Sequence, residues 1–316
     1  MSIAAYIKEI GRGKDGARAL STPQAHDLLS QVLAGQVTDL ELGAFCLAMR
    51  IKGETPEELD GFVQATLAHC LTLADAAAAA PGGIVVLPSY NGARKLPNLT
   101  ALLAELLARR GVAVLVHGPA TDPTRVTTAQ VSQAMGWTPV SDAPSLRATW
   151  AAGRPAFIDI ATLSPALARL LAVRWTIGLR NPGHTVAKLL DPFAALPVPS
   201  VRVVNHTHPE YAHSLTGYLS LVEADALLMR GTEGEPVADA RRQPRFEVFI
   251  RGQREADLSR APEEGVLTAL PELPGGFDAE TTADWIRAIL AGQQPVPPAI
   301  TAQVDCLVAA LARVQG

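Results

Sequence analysis

The sequence predicts an α/β fold: a small N-terminal helical domain over residues 1–73 and a larger α/β domain over residues 82–316 with a mostly parallel sheet. Three observations predict it. Residues 1–73 show apolar spacing at helical period and no strand pattern. From residue 84 onward, short β-branched runs alternate with helical stretches. Between them lies an alanine-rich linker, Ala74 to Pro81, closed by Gly82-Gly83. The 316 residues suffice to bury a large core without staples. With 48% hydrophobic and 18% charged residues, a disordered or fibrous chain is excluded.

Each element has its own reason. Met1 to Ile10 has helical spacing with Glu9 near its end. Ser21-Thr-Pro-Gln24 is a capping box with Pro in the first turn, and Leu28, Leu29, Val32 and Leu33 form the stripe that Gly35 ends. Asp39 is expected to cap the next helix, through Leu42, Phe45, Cys46 and Met49. Thr55-Pro-Glu-Glu58 is a second capping box, opening a helix through Leu67.

Ile84–Leu87 and Val112–Val116 read as buried strands, with a helix from about Asn98 to Arg110 between them. A helix through Val131 and Met135 precedes a third strand at Phe157–Ile160. Helices around 165–190 are expected to join the helical domain in space. The stretch 191–200, with three prolines, reads as a surface connection. Val201–Val204 and Ala226–Met229 read as further strands around a helix at Glu210–Val222. Two helices, one opening at Thr281 and one ending near Val314, close the chain.

No apolar run reaches the length of a membrane span. The N-terminus lacks the basic start and apolar run of a signal peptide. Cys46, Cys70 and Cys306 share no close spacing, so neither a disulfide framework nor a zinc site on cysteine pairs is expected, and a reducing cytoplasm is.

Charge is uneven. The chain is −4 overall, against a uniformly basic nucleic-acid binder, but residues 88–190 carry eleven bases and four acids. Residues 191–316 carry ten bases and seventeen acids. Either the middle segment meets an anion, or basic helices face acidic ones inside one fold.

In open parallel sheets, ligands sit off the carboxyl ends of the strands. Three loops leave strands here. The first, Pro88 to Thr100, combines Ser89, the Asn91-Gly92 turn, the cations Arg94 and Lys95, and a helix start capped by Asn98 or Thr100. Backbone donors with two cations make a phosphate site; an ordinary turn and cap is the competing reading. The second, His117-Gly118 to Arg125, begins with a histidine that reads as a hydrogen-bonding group rather than a catalyst. The third, Gly231-Thr-Glu-Gly-Glu-Pro236, has two acids that are not adjacent, and no metal is assigned to them.

Arg169, Arg174, Arg180 and Lys188, with Trp175 interleaved, suit a nucleic-acid backbone and a stacked base, or equally a solvated helix face over a core tryptophan. His206, His208 and His213 lack a partner set for a metal. No Gly-x-Ser-x-Gly elbow, P-loop, His-Glu-x-x-His or Cys-x-x-Cys occurs.

Leu40-Glu-Leu-Gly-Ala-Phe-Cys-Leu-Ala-Met-Arg-Ile-Lys-Gly-Glu-Thr-Pro-Glu-Glu58, the loop and helix at 84–110, Val116-His117-Gly118 and Gly178-Leu-Arg180 resemble anthranilate phosphoribosyltransferase and glycosyltransferase family 3. The resemblance implies a helical domain, an α/β domain, a cleft between them, and a homodimer through the helical domains. The family's working motifs differ here. Its Gly-Thr-Gly-Gly-Asp diphosphate loop reads Pro88-Ser-Tyr-Asn-Gly92, and its Lys-His-Gly-Asn reads Val116-His117-Gly118-Pro119. Its magnesium-holding Asp-Glu pair falls at Pro236 and Val237. Arg180 matches the arginine that faces anthranilate.

The chain more closely resembles the YbiB-type, TrpD-like branch. The shared stretches are Glu9-Ile-Gly-Arg-Gly-Lys14, Pro88–Lys95, Asp122-Pro-Thr-Arg125, Arg180-Asn181, Thr185–Lys188, His208-Pro-Glu-Tyr211 and Gly231–Glu235. That resemblance implies a dimeric binder of DNA or RNA with little sequence preference, on a fold that has lost catalysis.

The expected phosphate contacts are Arg94, Lys95, Arg125, Arg174, Arg180 and Lys188, with Arg12, Lys14 and Arg18 in reserve. Ser89, Asn91, Gly92, Asn98, Thr100, His117 and Gly118 are cleft candidates. No catalytic residue, metal or cofactor is assigned. The alternative is an active phosphoribosyltransferase, or a nucleoside phosphorylase-like enzyme. It would use magnesium and phosphoribosyl pyrophosphate, with Glu233 and Glu235 as substitute metal acids. A weaker option is a protein-interaction dimer using the acidic C-terminal part.

Overall fold

The computed structural model describes residues 2–13, 15–266 and 270–316. Four helices open the chain: α1 (Ala4–Ile10), α2 (Thr22–Leu33), α3 (Asp39–Lys52) and α4 (Pro56–Leu67). Ser21 and Thr55 form their capping boxes with Gln24 and Glu58. The cap of α3 is Thr38 rather than Asp39: the Glu41 side chain returns to the Thr38 N–H at 2.9 Å. Thr38 is extended and so can aim its hydroxyl at the first turn, whereas Asp39 is already helical. The alanine linker is not open chain but a 3-10 helix, Ala74–Ala79, packed on α7 (Ala143–Ala151).

The sheet holds β1 (Ile84–Pro88), β2 (Ala113–Gly118), β3 (Ala156–Asp159), β4 (Ser200–His206), β5 (Ala226–Arg230), β6 (Phe246–Ile250) and β7 (Gln253–Arg260), in the order 3-2-1-4-5-6-7. The first five strands run parallel; β6 and β7 add antiparallel. Between strands lie α5 (Thr100–Arg109), α6 (Thr128–Ala134), α8 (Ile160–Leu163), α9 (Pro165–Ala172), α10 (Arg174–Ile177), α11 (Gly183–Leu189) and α12 (Glu210–Leu221). Helices α13 (Ala279–Leu290) and α14 (Pro298–Gln315) close the chain.

The central parallel strands are covered on both faces, so β1 and most of β2, β4 and β5 are buried and apolar, while the edge strand β7 is polar and largely exposed. Ile84 and Val86 point to one core, shared with α2, α4, α9 and α11. Val85 and Leu87 point to the other, shared with α5, α13 and α14. Helices α9 and α11 pack on α2 and α4, and Arg169 donates to the Leu33 carbonyl at 3.1 Å. The stretch 191–200 is not a simple surface connection. Phe193 is buried, and Asp191 accepts from the Ser200 hydroxyl at 2.8 Å and the Phe193 N–H at 2.9 Å. Three prolines there stiffen a loop that seals the core.

This architecture sets the site. The carboxyl end of β4, at Asn205 and His206, opens with α11 and α12 onto a cleft whose other wall is formed by α3 and α4.

Candidate functional site

The loop after β1 folds back on itself so that its N–H groups point inward. Gly92 makes this possible: its φ is +72°, and a Cβ there would meet the Val126 carbonyl at 2.9 Å. The loop's Ala93 pairs with Val126 in both directions, at 2.7 and 3.0 Å. Backbone groups turned to one side like this form an anion nest.

The nest is filled by the chain itself. The Glu235 carboxylate accepts from the backbone N–H of Asn91 and of Gly92, both at 2.6 Å, and from the Ser89 hydroxyl. Thr128 Oγ1 lies 3.3 Å from the same carboxylate, and Asn98 Nδ2 donates to Thr128 at 2.8 Å. Glu235 is only 1% exposed. Glu233 takes the next three donors: the N–H groups of Arg94, Lys95 and Leu96, at 2.7, 2.9 and 3.2 Å. Burial alone would raise the Glu233 carboxyl. The three N–H groups, with Arg125 nearby, outweigh it and hold the group below its ordinary value.

The Gly-Thr-Glu-Gly-Glu run is what this arrangement demands. A Cβ on Gly231 would meet the Glu235 carbonyl at 1.9 Å, and one on Gly234 would meet Asn91 Nδ2 at 1.9 Å. Glu233 itself sits in the left-handed region, φ 51°, a conformation that costs a non-glycine residue on the order of 1 kcal/mol. The two acids therefore face hydrogen-bond donors. That corrects their reading as substitute magnesium ligands: carboxylates enclosed by N–H and O–H groups do not fit a cation. In this loop the N–H groups of Asn91, Gly92, Arg94, Lys95 and Leu96 all end on the two carboxylates.

The other cleft candidates support this loop rather than face a ligand. His117 lies inside β2 and is wholly buried. Tyr90 Oη sits 2.7 Å from its Nδ1, and the Leu190 carbonyl 3.1 Å from its Nε2. Burial pushes its pKa down to about 4, so the ring is neutral. Gly118 is required because a Cβ would meet the Ser89 carbonyl at 1.9 Å. Asn98 Oδ1 accepts from the Thr100 N–H at 3.2 Å, but neither residue is the helix cap; Leu99 is, with no side-chain bond.

A second region faces anions differently. Arg180 and Lys188 line the cleft, and Arg125 and Arg174 both neighbour Asp122, the first by a backbone bridge and the second by a side-chain contact. Arg174 and Arg125 act on Arg180, and Arg180 and Arg125 on Lys188. Arg174 stacks over Trp175 at 4.2 Å and lies 3.8 Å from Asp122. Trp175 is 53% exposed, which removes the reading as a core residue. Among the described residues, no carboxylate pairs with Arg125, Arg180 or Lys188.

Burial, then Arg174 and Arg125, lowers the Arg180 pKa against the pull of Asp122. Lys188 donates to Asn205 Oδ1 and the Gly234 carbonyl, both at 3.2 Å. Burial and Arg180 push its pKa down to about 8, with Glu235 opposing. Arg94 and Lys95 are exposed on the loop rim and are not part of this cluster. Arg12 and Glu9 pair at 2.8 Å, Arg18 lies 3.9 Å from Glu9, and Lys14 lies outside the described residues.

Sequence reasoning missed three groups. Arg50, on α3, reaches the cleft and acts on Arg180. Asn205 is buried there with its Nδ2 unpartnered. Glu54 lines the same cleft, and burial raises its carboxyl to about 7, with Glu58 adding to the rise and Lys52 and Arg50 opposing it. The cleft encloses about 450 Å³. Arg50 lies within the stretch that carries the family resemblance, but nothing local marks it as facing a cleft.

Residues 4–70 match the family model for the glycosyl transferase family helical bundle domain. The chain is 41% identical over 314 residues to the uncharacterized protein YbiB of Escherichia coli K12, covering 98% of this chain and 94% of that one. The chain is a YbiB-type, TrpD-like member of glycosyltransferase family 3. It is also 26% identical to anthranilate phosphoribosyltransferase of Methanopyrus kandleri, over 92% of this chain and 84% of that one.

Among solved structures, anthranilate phosphoribosyltransferase of Thermus thermophilus superposes with a TM-score of 0.73, at 19% identity, over 98% of this chain and 90% of that chain. The Saccharomyces cerevisiae enzyme in complex with PRPP and Mg superposes at 0.63, at 15% identity, over 98% and 94%. These likenesses establish the TrpD fold. The glutamate-filled loop of this TrpD-like chain is a feature of its own residues.

Proposed function

We propose that this TrpD-like chain binds nucleic acid as a homodimer, through phosphates and with little sequence preference, and no longer binds a phosphoribosyl donor. One observation carries the reading. N–H donors of the loop after β1 are taken up by Glu233 and Glu235, while among the described residues Arg125, Arg180 and Lys188 make no salt bridge and Arg174 has only a 3.8 Å contact with Asp122. Arg50 extends the cationic face to the helical side. Exposed Trp175 adds a ring for an unpaired base. Contacts to phosphate give affinity without reading bases. Arg94 and Lys95 form an outer rim that adds to the field.

A homodimer fits the apolar stripe on α3. Leu40, Leu47 and Ile51 share one helix face and are 84%, 49% and 58% exposed. Replacing Leu47 and Ile51 by Asp is expected to shift the sedimentation coefficient from dimer to monomer; an unchanged dimer would remove this face from the interface.

The direct test of binding is fluorescence anisotropy with labelled single- and double-stranded oligonucleotides across salt concentrations. Retained transferase activity is the competing outcome. It predicts heat on titrating phosphoribosyl pyrophosphate with magnesium, whereas the proposed function predicts none at millimolar donor. Among the described residues no helix is long and apolar enough to cross a membrane, so a membrane-embedded helix plays no part in this reading.

A further inference from the structure

Residues 191–316 are acidic in sum, yet strand register gathers basic residues from this part of the chain at one edge of the sheet. His206 ends β4 and pairs with Arg230, the last residue of β5. Met229 pairs with Phe246, so Arg245, one residue earlier in the chain, comes beside Arg230. Side chains alternate along a strand, and Val204, Leu228 and Phe249 point into the core shared with α2 and α4. His206, Arg230 and Arg245 have the same parity and continue that face past its carboxyl edge. Adjacent strands lie about 4.8 Å apart, so the three residues form a row about 10 Å long.

The row starts at the cleft, which His206 lines together with Lys188. Burial, then Arg230 and Lys188, lower the His206 pKa against the His208 backbone and Glu247, so both cations lie near the ring. Arg230 and Arg245 are exposed, and neither forms a salt bridge among the described residues. Two acids lie along the row, and each is committed to another arginine. Glu247, two residues beyond Arg245 on the same face, pairs with Arg254 at 3.1 Å. Asp239 feels Arg230 but accepts from Arg241 at 2.6 and 2.9 Å. Uncompensated cations at strand spacing suit a ligand with regularly repeated negative charge. We infer that His206, Arg230 and Arg245 form a second nucleic-acid contact surface, which carries the bound strand from the cleft across the carboxyl edge of the sheet to β6. This inference rests on the nucleic-acid reading above and gives the strand its path. Arg230 and Arg245 each neutralise a phosphate, for which a guanidinium fork is suited. A strand that engages this row and the cluster of Arg125, Arg174 and Arg180 gains both sets of contacts in one association.

The test uses the full-length protein and a labelled single-stranded thymidine oligonucleotide, read by anisotropy across a salt series. Arg230→Ala/Arg245→Ala is expected to weaken binding on the order of tenfold at low salt. It should also lower the log–log salt slope by about 1.4, twice the roughly 0.7 of one neutralised phosphate on a single strand. Arg230→Lys/Arg245→Lys keeps both charges and should keep the parent slope. Arg109→Ala/Arg110→Ala is the control: it removes the same charge from the C-terminal end of α5, just before β2, at the amino edge of the sheet. Its slope and affinity should stay close to those of the parent. Should the double variant not fold, Arg245→Ala alone is expected to lower the slope by about 0.7.

A parent that binds, with an unchanged slope in the folded double variant, overturns this inference and leaves the nucleic-acid reading standing. An equal loss in the Arg109→Ala/Arg110→Ala control overturns it too, since the effect would then be one of net charge rather than of path. An unchanged slope in Arg245→Ala, where the double variant is unfolded, has the same force. A parent that binds no oligonucleotide at low salt removes the nucleic-acid reading, and the row with it.

Discussion

Two regions at the carboxyl ends of the strands are built to meet negative charge, and they differ in who supplies it. After β1, inward N–H groups end on Glu233 and Glu235 of the same chain. Near α10 and α11, the cations Arg174, Arg180 and Lys188, joined by Arg125 from the loop after β2, form a single salt bridge among the described residues, Arg174 to Asp122 at 3.8 Å, with Glu235 and Glu233 of the first region acting on Lys188 and Arg125. The first region is a satisfied network. The second is an unsatisfied field. A satisfied anion site contributes stability and shape; an unsatisfied cationic face, kept soluble by water and salt, is available to a partner. The difference shows how neighbouring loops of one sheet can differ in whether the chain itself supplies the negative charge they face.

The largest expected effect breaks the closed region. Glu235→Ala strands two buried N–H groups and a hydroxyl, and should lower stability by about 3 kcal/mol or more in chemical denaturation. Glu235→Gln keeps an acceptor and should fall between. Stability within about 0.5 kcal/mol of the parent would mean that the network is not a strut.

The next breaks the open region. Arg174→Glu/Arg180→Glu should weaken oligonucleotide binding on the order of a hundredfold at low salt and flatten the salt dependence. Arg94→Glu/Lys95→Glu, on the rim, should weaken it less. Equal losses in the two double variants would erase the distinction between cluster and rim.

A smaller effect sharpens the comparison through pH. The Lys188 pKa is pushed down to about 8 and the Glu54 carboxyl up to about 7. The groups acting on Lys188 are Arg180, Glu235 and Arg125; those acting on Glu54 are Glu58, Lys52 and Arg50. As pH rises from 6 to 9, Glu54 gains negative charge and Lys188 loses positive charge, both against a polyanion. Affinity should fall roughly a few-fold across that window. Lys188→Arg should remove the upper part of the fall, since arginine stays charged. A flat profile in the parent would exclude both groups from the bound surface.

Much of the fold was legible in the sequence because it is local. Ile84–Leu87 and Val112–Val116 announce buried strands by β-branching, and Ser21 and Thr55 announce helix starts by capping chemistry. The hairpin β6–β7 is barely legible in the sequence. Gln253–Arg260 is a polar edge strand, and its Arg251-Gly252 turn, with φ of 47° and 72°, carried the one signal. The roles of Ser89, Asn91 and Gly92 were half legible. The loop did show backbone donors for an anion, but the anion is a side chain 143 to 146 positions away. No window of sequence pairs Glu235 with that loop. The same holds for Arg50 and Asn205, which become cleft residues only when α3 and β4 face each other. Trp175 was undecided between core and surface because a four-residue helix gives too little period to assign a face.

The central claim is that this TrpD-like chain meets phosphates through its open cationic face. Anisotropy of labelled oligonucleotides across a salt series tests it most directly. The account predicts binding to oligonucleotides of unrelated sequence with similar affinity, and a log–log salt slope of several units, about 0.7–0.9 for each phosphate neutralised. Absence of binding at low salt, or binding whose affinity does not change with salt, would contradict it.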